Sequence, residues 1–428
     1  MHESLRLIIS VLAQDKWKLN SMDIKTAFLQ GQPIDRDVYI KPPVEARVCS
    51  NMVWKLDKCV YGLSDASLNW YCRVKSLLLE LRASVSKVDP AVFYWVDGHG
   101  DVYGVLACHV DDFIWGGKPE FENVMSKIRS ILQVGKESNQ AFKYRGIDLE
   151  HDDDDSMTYL HQDSYTDSLK PIEITAARAL EKDRELTESE KHSVRCKVGQ
   201  LLWLAHQSRP DLLFDVTSVA NNINRATGLH VLGINKIIGK AKVTKSSLKF
   251  QNLGSKEELK LVVFSDASLG NMPNGGSQGG YLVLLVGESG KFSPIWWNSK
   301  KIRRVVRSTL AAETLALAEG IDNGIFLCTL LAELMYGKSD PTTFPIECYT
   351  DCKSLSEALK SAKSVSEKRL RLDISSIKEL LETKQITSVN WCDTDKQLAD
   401  SLTKKGASPK ILRNTLESGL LFDMFEKK

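Results

Sequence analysis

Several features that would assign this 428-residue chain to a common class are missing from its sequence. No uninterrupted run of about 20 apolar residues occurs, so we expect no membrane-spanning segment. The nine cysteines are odd in number and form no Cys-x-x-Cys pair, which argues against a zinc site and favours a reducing, intracellular setting. The start, Met-His-Glu-Ser, lacks the basic residues of a signal peptide. The net charge of +2 is too small to indicate a nucleic-acid partner by itself.

Local charge is more informative than the total. A basic run free of acids precedes a long apolar segment and contains Lys300, Lys301, Arg303, Arg304 and Arg307. It could follow the phosphates of a nucleic acid, or it could be a solvated connection between a strand and a helix. The acidic run 152–155 is predicted to be a solvated loop.

Hydrophobic periodicity in the first half predicts alternating helices and strands. Residues 3–15 and 67–81 have helical spacing, and 120–132 is predicted to be a third helix. Apolar runs at 92–96 and 102–109 flank an Asp-Gly turn, which is typical of a β-hairpin. Helices are also predicted at 193–206 and 212–224, and 225–257 is interpreted as a joint between two halves.

The second half predicts three successive strands followed by the order α, β, α, α, β, α. The strands are 259–265, 281–286 and 293–298, and 308–336 is predicted to be one long helix or a broken pair of helices. The last elements are predicted to be a strand at 386–392 and a helix at 396–404. A hairpin meander followed by βαβ crossovers implies a mixed sheet with helices on its faces.

Two carboxylate sites stand out in the first half. Asp23 lies at a strand end, and Asp111 and Asp112 lie between two apolar strand segments. Adjacent like charges repel unless a cation lies between them. Mg²⁺ ions would offset this repulsion and support a phosphoryl displacement. The alternative for Asp111 and Asp112 is a simple surface turn.

Four carboxylates in the second half occupy the ends of strands or the faces of helices. Glu313 lies on an apolar helix face, which is unfavourable unless the acid has a partner. The other three are Asp266 at the end of a strand, Asp351 between a strand and a helix, and Asp400 on the predicted last helix. Convergence on two cations would satisfy all four. The alternative for each is a capping or surface role, such as a helix N-cap for Asp351.

Motifs in a consistent order make the chain resemble the reverse transcriptase and RNase H region of copia-type retrotransposon polyproteins. The reverse-transcriptase motifs are Met22-Asp23-Ile24-Lys25-Thr26-Ala27-Phe28-Leu29-Gln30-Gly31, Val38-Tyr39-Ile40-Lys41-Pro42-Pro43, Tyr61-Gly62-Leu63, His109-Val110-Asp111-Asp112, Tyr144-Arg145-Gly146-Ile147 and Gln200 to Ala205 with Arg209-Pro210-Asp211. The order Asp, Glu, Asp, Asp and the ending Gln397-Leu398-Ala399-Asp400-Ser401-Leu402-Thr403-Lys404 are similar to copia-type RNase H.

This resemblance implies roles for individual residues. Asp23, Asp111 and Asp112 would be the catalytic metal ligands of one site, and Asp266, Glu313, Asp351 and Asp400 those of the other. Each site would hold two Mg²⁺ ions, with Mn²⁺ as the alternative ion. Phe28 would exclude a ribose 2′-hydroxyl. The remaining substrate-binding residues would be His109, Gly62, Lys300, Lys301, Arg303 and Arg304. The implied partners are an RNA template, a DNA primer, the RNA–DNA hybrid, dNTPs and other products of the polyprotein, with no membrane, in a cytoplasmic particle or in the nucleus.

The implied fold is α+β or α/β: a truncated palm with a helical connection, followed by an RNase H-like five-stranded mixed sheet flanked by helices. The expected domains are a palm at 1–170, a thumb- or connection-like region at 171–257, an RNase H-like domain at 258–408 and a tail at 409–428. The family's basic fingers segment is not in this sequence, so we do not expect polymerase activity from this chain alone.

Several residues depart from the family pattern. His109 replaces the family's Tyr, Ser64-Asp65 replaces its Lys-Gln, Arg145 stands at a position that is usually apolar, and no histidine follows His230. The alternative function is therefore an impaired or co-opted nucleic-acid-binding remnant. A third reading is an unrelated Mg²⁺-dependent phosphatase or nuclease with a chance likeness.

Overall fold

The computed structural model describes residues 2–49, 51–152, 157–175, 178, 180–272, 275–361, 365 and 367–421, with no side chains for residues 2 and 3. Most of the predicted acidic loop 152–155 and the end of the predicted tail lie outside the described residues. The chain divides into two compact units. The smaller unit comprises Trp17–Phe142 with Glu333–Gly337, and the larger unit comprises Met1–Lys16, Lys143–Ala332 and Lys338–Lys428.

The helices whose bounds are described are α1 (His2–Gln14), α2 (Ala66–Glu80), α3 (Glu122–Ile131), α4 (Asp163–Ser168), α5 (Glu188–Gln207), α6 (Leu213–Ala220), α7 (Gly228–Val243), α8 (Thr309–Tyr336), α9 (Lys353–Lys360), α10 (Lys368–Glu382) and α11 (Lys410–Ser418).

The strands are β1 (Asn20–Ile24), β2 (Tyr39–Ile40), β3 (Trp54–Lys55), β4 (Ser84–Val85), β5 (Val92–Val96), β6 (Val102–His109), β7 (Asp112–Gly117), β8 (Val134–Ser138), β9 (Phe142–Tyr144), β10 (Ile147–His151), β11 (Met157–His161), β12 (Leu248–Gln251), β13 (Lys260–Ser268), β14 (Ser277–Val286), β15 (Phe292–Ile302), β16 (Ile346–Thr350) and β17 (Ser388–Trp391).

The smaller unit is built on a six-stranded antiparallel sheet in the order β4-β5-β6-β7-β1-β8. Strands β5 and β6 have the bounds predicted from the hairpin pattern. Large buried side chains from α2, from the sheet and from the 3₁₀ turn before α3 form one core, including Trp70, Phe113 and Phe121. This sheet brings β1 next to β7, so Asp23 on β1 lies beside Asp112 on β7, as the predicted metal site requires.

The larger unit contains a five-stranded sheet in the order β15-β14-β13-β16-β17. β13, β14 and β15 pair antiparallel, whereas β16 pairs parallel with β13 and with β17. The central strand β13 is buried along almost its whole length, as its continuous apolar run predicts. The predicted mixed five-stranded sheet flanked by helices, and with it the fold class, is confirmed.

Helix α8 has the length and composition that could cross a membrane, although we expected no such segment. Core helices of water-soluble proteins pass the same test, and 61% of its most apolar window is buried inside the structure. Close packing explains part of this burial. A Cβ atom added at Gly320 would lie 2.8 Å from Cγ1 of Val263 on β13, so this glycine lets the helix approach the sheet.

The compact units differ from the predicted domain boundaries. Helix α1 lies within the predicted palm in sequence but packs against β12 and β15 of the larger unit. Its buried Arg6 donates from Nε to the Ile295 carbonyl at 2.6 Å and lies over the Trp297 ring, 4.0 Å from the ring centroid. Residues 143–170 of the predicted palm also belong to the larger unit, because β9 to β12 form a separate four-stranded sheet.

Three segments differ from the sequence prediction. The predicted joint at 225–257 contains helix α7 and strand β12. The predicted tail contains helix α11, and Leu420 forms an isolated bridge with Lys291. The predicted helix at 396–404 was wrong, because this segment folds as short 3₁₀ turns at Thr394–Lys396 and Asp400–Leu402, held by contacts to the sheet that are described below.

Candidate functional site

Two of the second-half carboxylates meet because β13 and β16 are parallel neighbours. Phe264 on β13 is paired with Tyr349 on β16, so the two strands end at the same edge of the sheet. Asp266 lies near the end of β13, and Asp351 directly follows β16. Their positions follow from the topology, since parallel strands bring their carboxyl ends together.

Asp400 is brought to the same edge by a turn that is fastened to the sheet. Gln397 Nε2 donates to the Ser265 carbonyl at 3.0 Å, and the Ser268 hydroxyl donates to the Thr403 carbonyl at 2.8 Å. A Cβ atom on Gly280 would lie 2.7 Å from Cβ of Leu402, so β14 needs a glycine where the turn crosses it. These tertiary contacts override the helical pattern of the segment.

Glu313 reaches the site from the first turns of α8. Small side chains allow the helix to lie close to β13: Ala312 and Ala316 pack against Ala267, the residue after Asp266. The backbone N–H of Ala267 is a hydrogen-bond donor to the Glu313 carboxylate. Glu313 is 3% exposed, and its Oε2 atom has no hydrogen-bond partner among the residues that the structure describes.

The acids form a cluster with the donor chemistry of a divalent-cation site. Asp266, Asp351 and Asp400 each offer one carboxylate oxygen, and these oxygens all lie within 4.8 Å of one another. A buried carboxylate oxygen without a partner is costly, and a cation would satisfy it. The orphaned oxygen of Glu313 and the three aspartates therefore fit hard divalent cations, which prefer oxygen ligands.

Burial raises the pKa of both inner acids. For Glu313, burial and then the charges of Asp266 and Asp351 raise the pKa from 4.5 to about 9. For Asp266, burial raises the pKa from 3.8 to about 6, while Lys404 and the Thr403 hydroxyl oppose the rise. A cation would reverse this preference by favouring the ionised forms.

Two neighbours of Asp400 were missed as site residues. Thr403 donates its hydroxyl to Asp266 Oδ2, and Lys404 places its ammonium between two carboxylates. Nζ of Lys404 lies 3.3 Å from Oδ1 of Asp266 and also contacts Oδ1 of Asp400. Burial lowers the pKa of Lys404, but these carboxylates raise it by more, so it lies above its usual value. The spacing of four residues from Asp400 could have indicated this ion pair.

The three aspartates of the smaller unit lie on neighbouring strands. Asp23 on β1 is the direct partner of Asp112 on β7, and the Ile24 amide donates to the Asp111 carbonyl at 2.8 Å. His109 is paired with Asp112 across the hairpin. Within the described part of the chain, the close grouping of three carboxylates occurs only in the larger unit, so the oxygens of these three are less tightly gathered.

The turn that carries Asp111 has an unusual backbone. Val110 has φ of 57°, a conformation that is strained for a β-branched residue and that the surroundings must hold in place. Trp70 contributes by donating from Nε1 to the Val110 carbonyl at 2.6 Å. The strain therefore lies in the turn between β6 and β7, directly before Asp111.

Aromatic groups lie beside these aspartates. The rings of Phe28 and Tyr61 are 4.6 Å apart, and the Tyr61 hydroxyl donates to Oδ2 of Asp111 at 3.3 Å. Gly62 has φ of 99°, a backbone conformation that glycine adopts without the strain other residues would incur, so a glycine suits this position. Gly135 on β8 was missed by the sequence analysis: a Cβ atom there would lie 2.4 Å from Oδ2 of Asp23, so its lack of a side chain makes room for that carboxylate.

The predicted basic residues line a pocket of about 460 Å³ beside β15 and α8. Lys300 and Lys301 lie on the end of β15, and Arg303 and Arg304 follow it. Acids neutralise part of their charge: Lys300 Nζ lies 2.7 Å from Glu319, and Arg304 forms an ion pair with Asp373 at 3.0 Å. The basic surface is thus present but weaker than the sequence run indicates.

Comparison with known proteins agrees with this architecture. Residues 1–182 match the family described as "Reverse transcriptase (RNA-dependent DNA polymerase)". The chain is 28% identical over 422 residues to the Pol polyprotein of transposon RE1 from Arabidopsis thaliana, covering 94% of this chain and 27% of that protein. It is 25% identical to the Pol polyprotein of transposon TNT 1-94 from Nicotiana tabacum, covering 94% and 31% of the two chains. The chain thus spans about a quarter to a third of the length of these relatives.

A solved structure supports the fold. The foamy viral protease-reverse transcriptase, determined in complex with an RNA/DNA hybrid, superposes with a TM-score of 0.54 at 14% identity. The superposition covers 91% of this chain and 45% of the viral one.

Residues 1–182 thus resemble reverse transcriptases in sequence, and the fold of the chain is similar to that of a viral protease-reverse transcriptase. Sequence similarity to these Pol polyproteins extends over 94% of the chain, so the resemblance to the reverse transcriptase and RNase H region of copia-type retrotransposon polyproteins that its motifs predicted is confirmed.

Proposed function

We propose that the larger unit hydrolyses the RNA strand of an RNA–DNA hybrid at the cluster of Asp266, Glu313, Asp351 and Asp400. The observation that carries this proposal is the approach of three aspartate oxygens to within 4.8 Å of one another. The buried, unpartnered oxygen of Glu313 adds to it. The foamy viral protease-reverse transcriptase, which has a similar fold, was determined in complex with an RNA/DNA hybrid, and this supports the substrate class.

The acids of the cluster would bind metal, and the neighbouring basic residues would bind the substrate. The four acids would hold Mg²⁺, two ions per site, or Mn²⁺ in its place. Bound cations would lower the pKa of the attacking water and neutralise the phosphate. Lys301 and Arg303 on the neighbouring basic surface would bind the backbone of the hybrid and align it with the acids.

The test is cleavage of a hybrid by the whole chain. We expect Mg²⁺-dependent cleavage of the labelled RNA strand of a hybrid. Asp351→Asn should abolish this cleavage, because it removes a metal-binding charge with little change of shape. Asp395→Asn is the matched control, since Asp395 is exposed in the turn after β17 and lies outside the cluster, and it should cleave normally.

Two results would decide against this function. Cleavage by the Asp351→Asn variant equal to that of the wild type would exclude the cluster as the catalytic site. Salt-dependent binding of the hybrid without any turnover would favour the alternative of an impaired or co-opted remnant.

RNA-directed DNA synthesis at the smaller unit is a second candidate function, favoured by the pairing of Asp23 with Asp112 and by the Phe28 and Tyr61 rings beside Asp111. Its partners would be an RNA template, a DNA primer and dNTPs. The test is extension of a labelled DNA primer on an RNA template in the presence of dNTPs, which should depend on Asp112. Extension that persists in Asp112→Asn would contradict the assignment.

A further inference from the structure

We propose that Lys404 is a positioning residue that acts as an internal counter-cation and competes with divalent metal for Asp266 and Asp400. This inference rests on the proposed function of the cluster. It concerns the affinity of the site for metal, which can be measured without a substrate.

The contacts of Lys404 place a positive charge inside the cluster. Its Nζ lies 3.3 Å from Oδ1 of Asp266, an aspartate with a fully buried side chain, and it also contacts Oδ1 of Asp400. Both aspartates belong to the group whose oxygens lie within 4.8 Å. A cation bound by these oxygens would therefore have to displace the ammonium group or lie against it.

The turn around Lys404 holds the ammonium in this place. Thr403 donates its hydroxyl to Asp266 and is fully buried, while its carbonyl accepts from Ser268 at 2.8 Å. The Lys404 side chain itself is 35% exposed, so it has an open path to water and can swing away from the carboxylates. The neighbouring Lys405 is exposed and forms none of the described contacts with the cluster.

Charge decides the direction of the effect. Without metal, the ammonium lowers the repulsion between Asp266 and Asp400 and keeps them together. With metal, the same charge opposes binding through like-charge repulsion and through the ion pairs that must be broken. Removal of the charge should therefore weaken the metal-free fold and strengthen metal binding, whereas loss of a merely structural contact would weaken both.

The experiment is calorimetric titration of the full chain with Mn²⁺, with thermal unfolding measured alongside in EDTA and in saturating Mn²⁺. Lys404→Met should bind Mn²⁺ at least about tenfold more tightly than the wild type, since a unit charge in direct contact with two ligands is lost. The thermal unfolding midpoint of Lys404→Met should be lower than that of the wild type in EDTA and should recover in saturating Mn²⁺. Lys404→Arg keeps the charge and should restore an affinity close to that of the wild type, and Lys405→Met should change nothing.

Each other outcome has a defined meaning. Equal or weaker Mn²⁺ binding by Lys404→Met overturns the inference, and if that variant does not fold, the same criterion applies to Lys404→Gln. Wild-type binding that Asp351→Asn leaves intact would instead refute the metal site of the proposed function. Failure of the inference about Lys404 and failure of the proposed metal site would therefore give different results.

Discussion

Replacement of Glu313 by glutamine should stabilise the metal-free protein, although Glu313 is a proposed catalytic residue. The reason is that its carboxylate is buried on an apolar helix face, with one oxygen unpartnered. Burial and the nearby aspartates raise its pKa from 4.5 to about 9 in the folded chain. Without metal, the folded state therefore keeps this proton at neutral pH, whereas the unfolded chain loses it.

The sign of the pH dependence follows from this difference. The folded state binds more protons than the unfolded state between pH 4.5 and about 9, so stability falls as the pH rises through that window. Each pKa unit corresponds to about 1.4 kcal/mol. Between pH 5 and pH 8 the wild type should lose about 4 kcal/mol that Glu313→Gln does not lose.

Urea denaturation in EDTA at pH 5 and pH 8 measures this difference. The advantage of Glu313→Gln should be below about 1 kcal/mol at pH 5 and rise to about 4 kcal/mol or more at pH 8. Glu319→Gln on the same helix is the matched control, because the Glu319 side chain is 43% exposed, and its effect should not change with pH in this way. An advantage of Glu313→Gln that stays constant with pH, or a more stable wild type at pH 8, would refute the reasoning.

Two further predictions concern the packing beside Asp23 and a buried ion pair. Gly135→Ala would bring a Cβ atom within 2.4 Å of Oδ2 of Asp23 and should destabilise the smaller unit by about 1–3 kcal/mol in urea unfolding. Gly199→Ala, whose Cβ atom meets nothing within 4 Å, should not destabilise the chain. Arg209→Met would remove the ion-pair partner of the buried Asp211, which Arg209 now contacts at 2.8 Å. This change should lower the free energy of unfolding by about 3–5 kcal/mol. Arg209→Met with wild-type stability, or equal effects of the two glycine variants, would contradict these predictions.

Positions that depend on local patterns could be predicted from the sequence. The hairpin of β5 and β6 follows from alternation around an Asp-Gly turn, and its bounds agree with the structure. The placement of Asp266 and Asp351 at strand ends also follows, because apolar runs stop there. Once the two strands are parallel neighbours, their proximity is a consequence of topology.

Features that depend on contacts distant in sequence could not be predicted. The segment 396–404 has a helical pattern, but hydrogen bonds from Gln397 and to Thr403 fasten it to β13 instead. Helix α1 lies at the start of the predicted palm, yet its buried Arg6 packs on Trp297, nearly 300 residues later. Gly135 gives no local signal, because the need for a glycine arises only when β8 lies beside Asp23.

The central claim, that the acid cluster binds divalent cations, is tested most directly by crystals of the chain grown with Mn²⁺ and measured at an anomalous wavelength. We expect anomalous peaks within about 2.6 Å of carboxylate oxygens of Asp266, Asp351 and Asp400, with Glu313 turned toward one of them. Lys404 should then have moved away from its present contacts. A map with no peak among these four acids, at Mn²⁺ concentrations that support hybrid cleavage, would contradict the account.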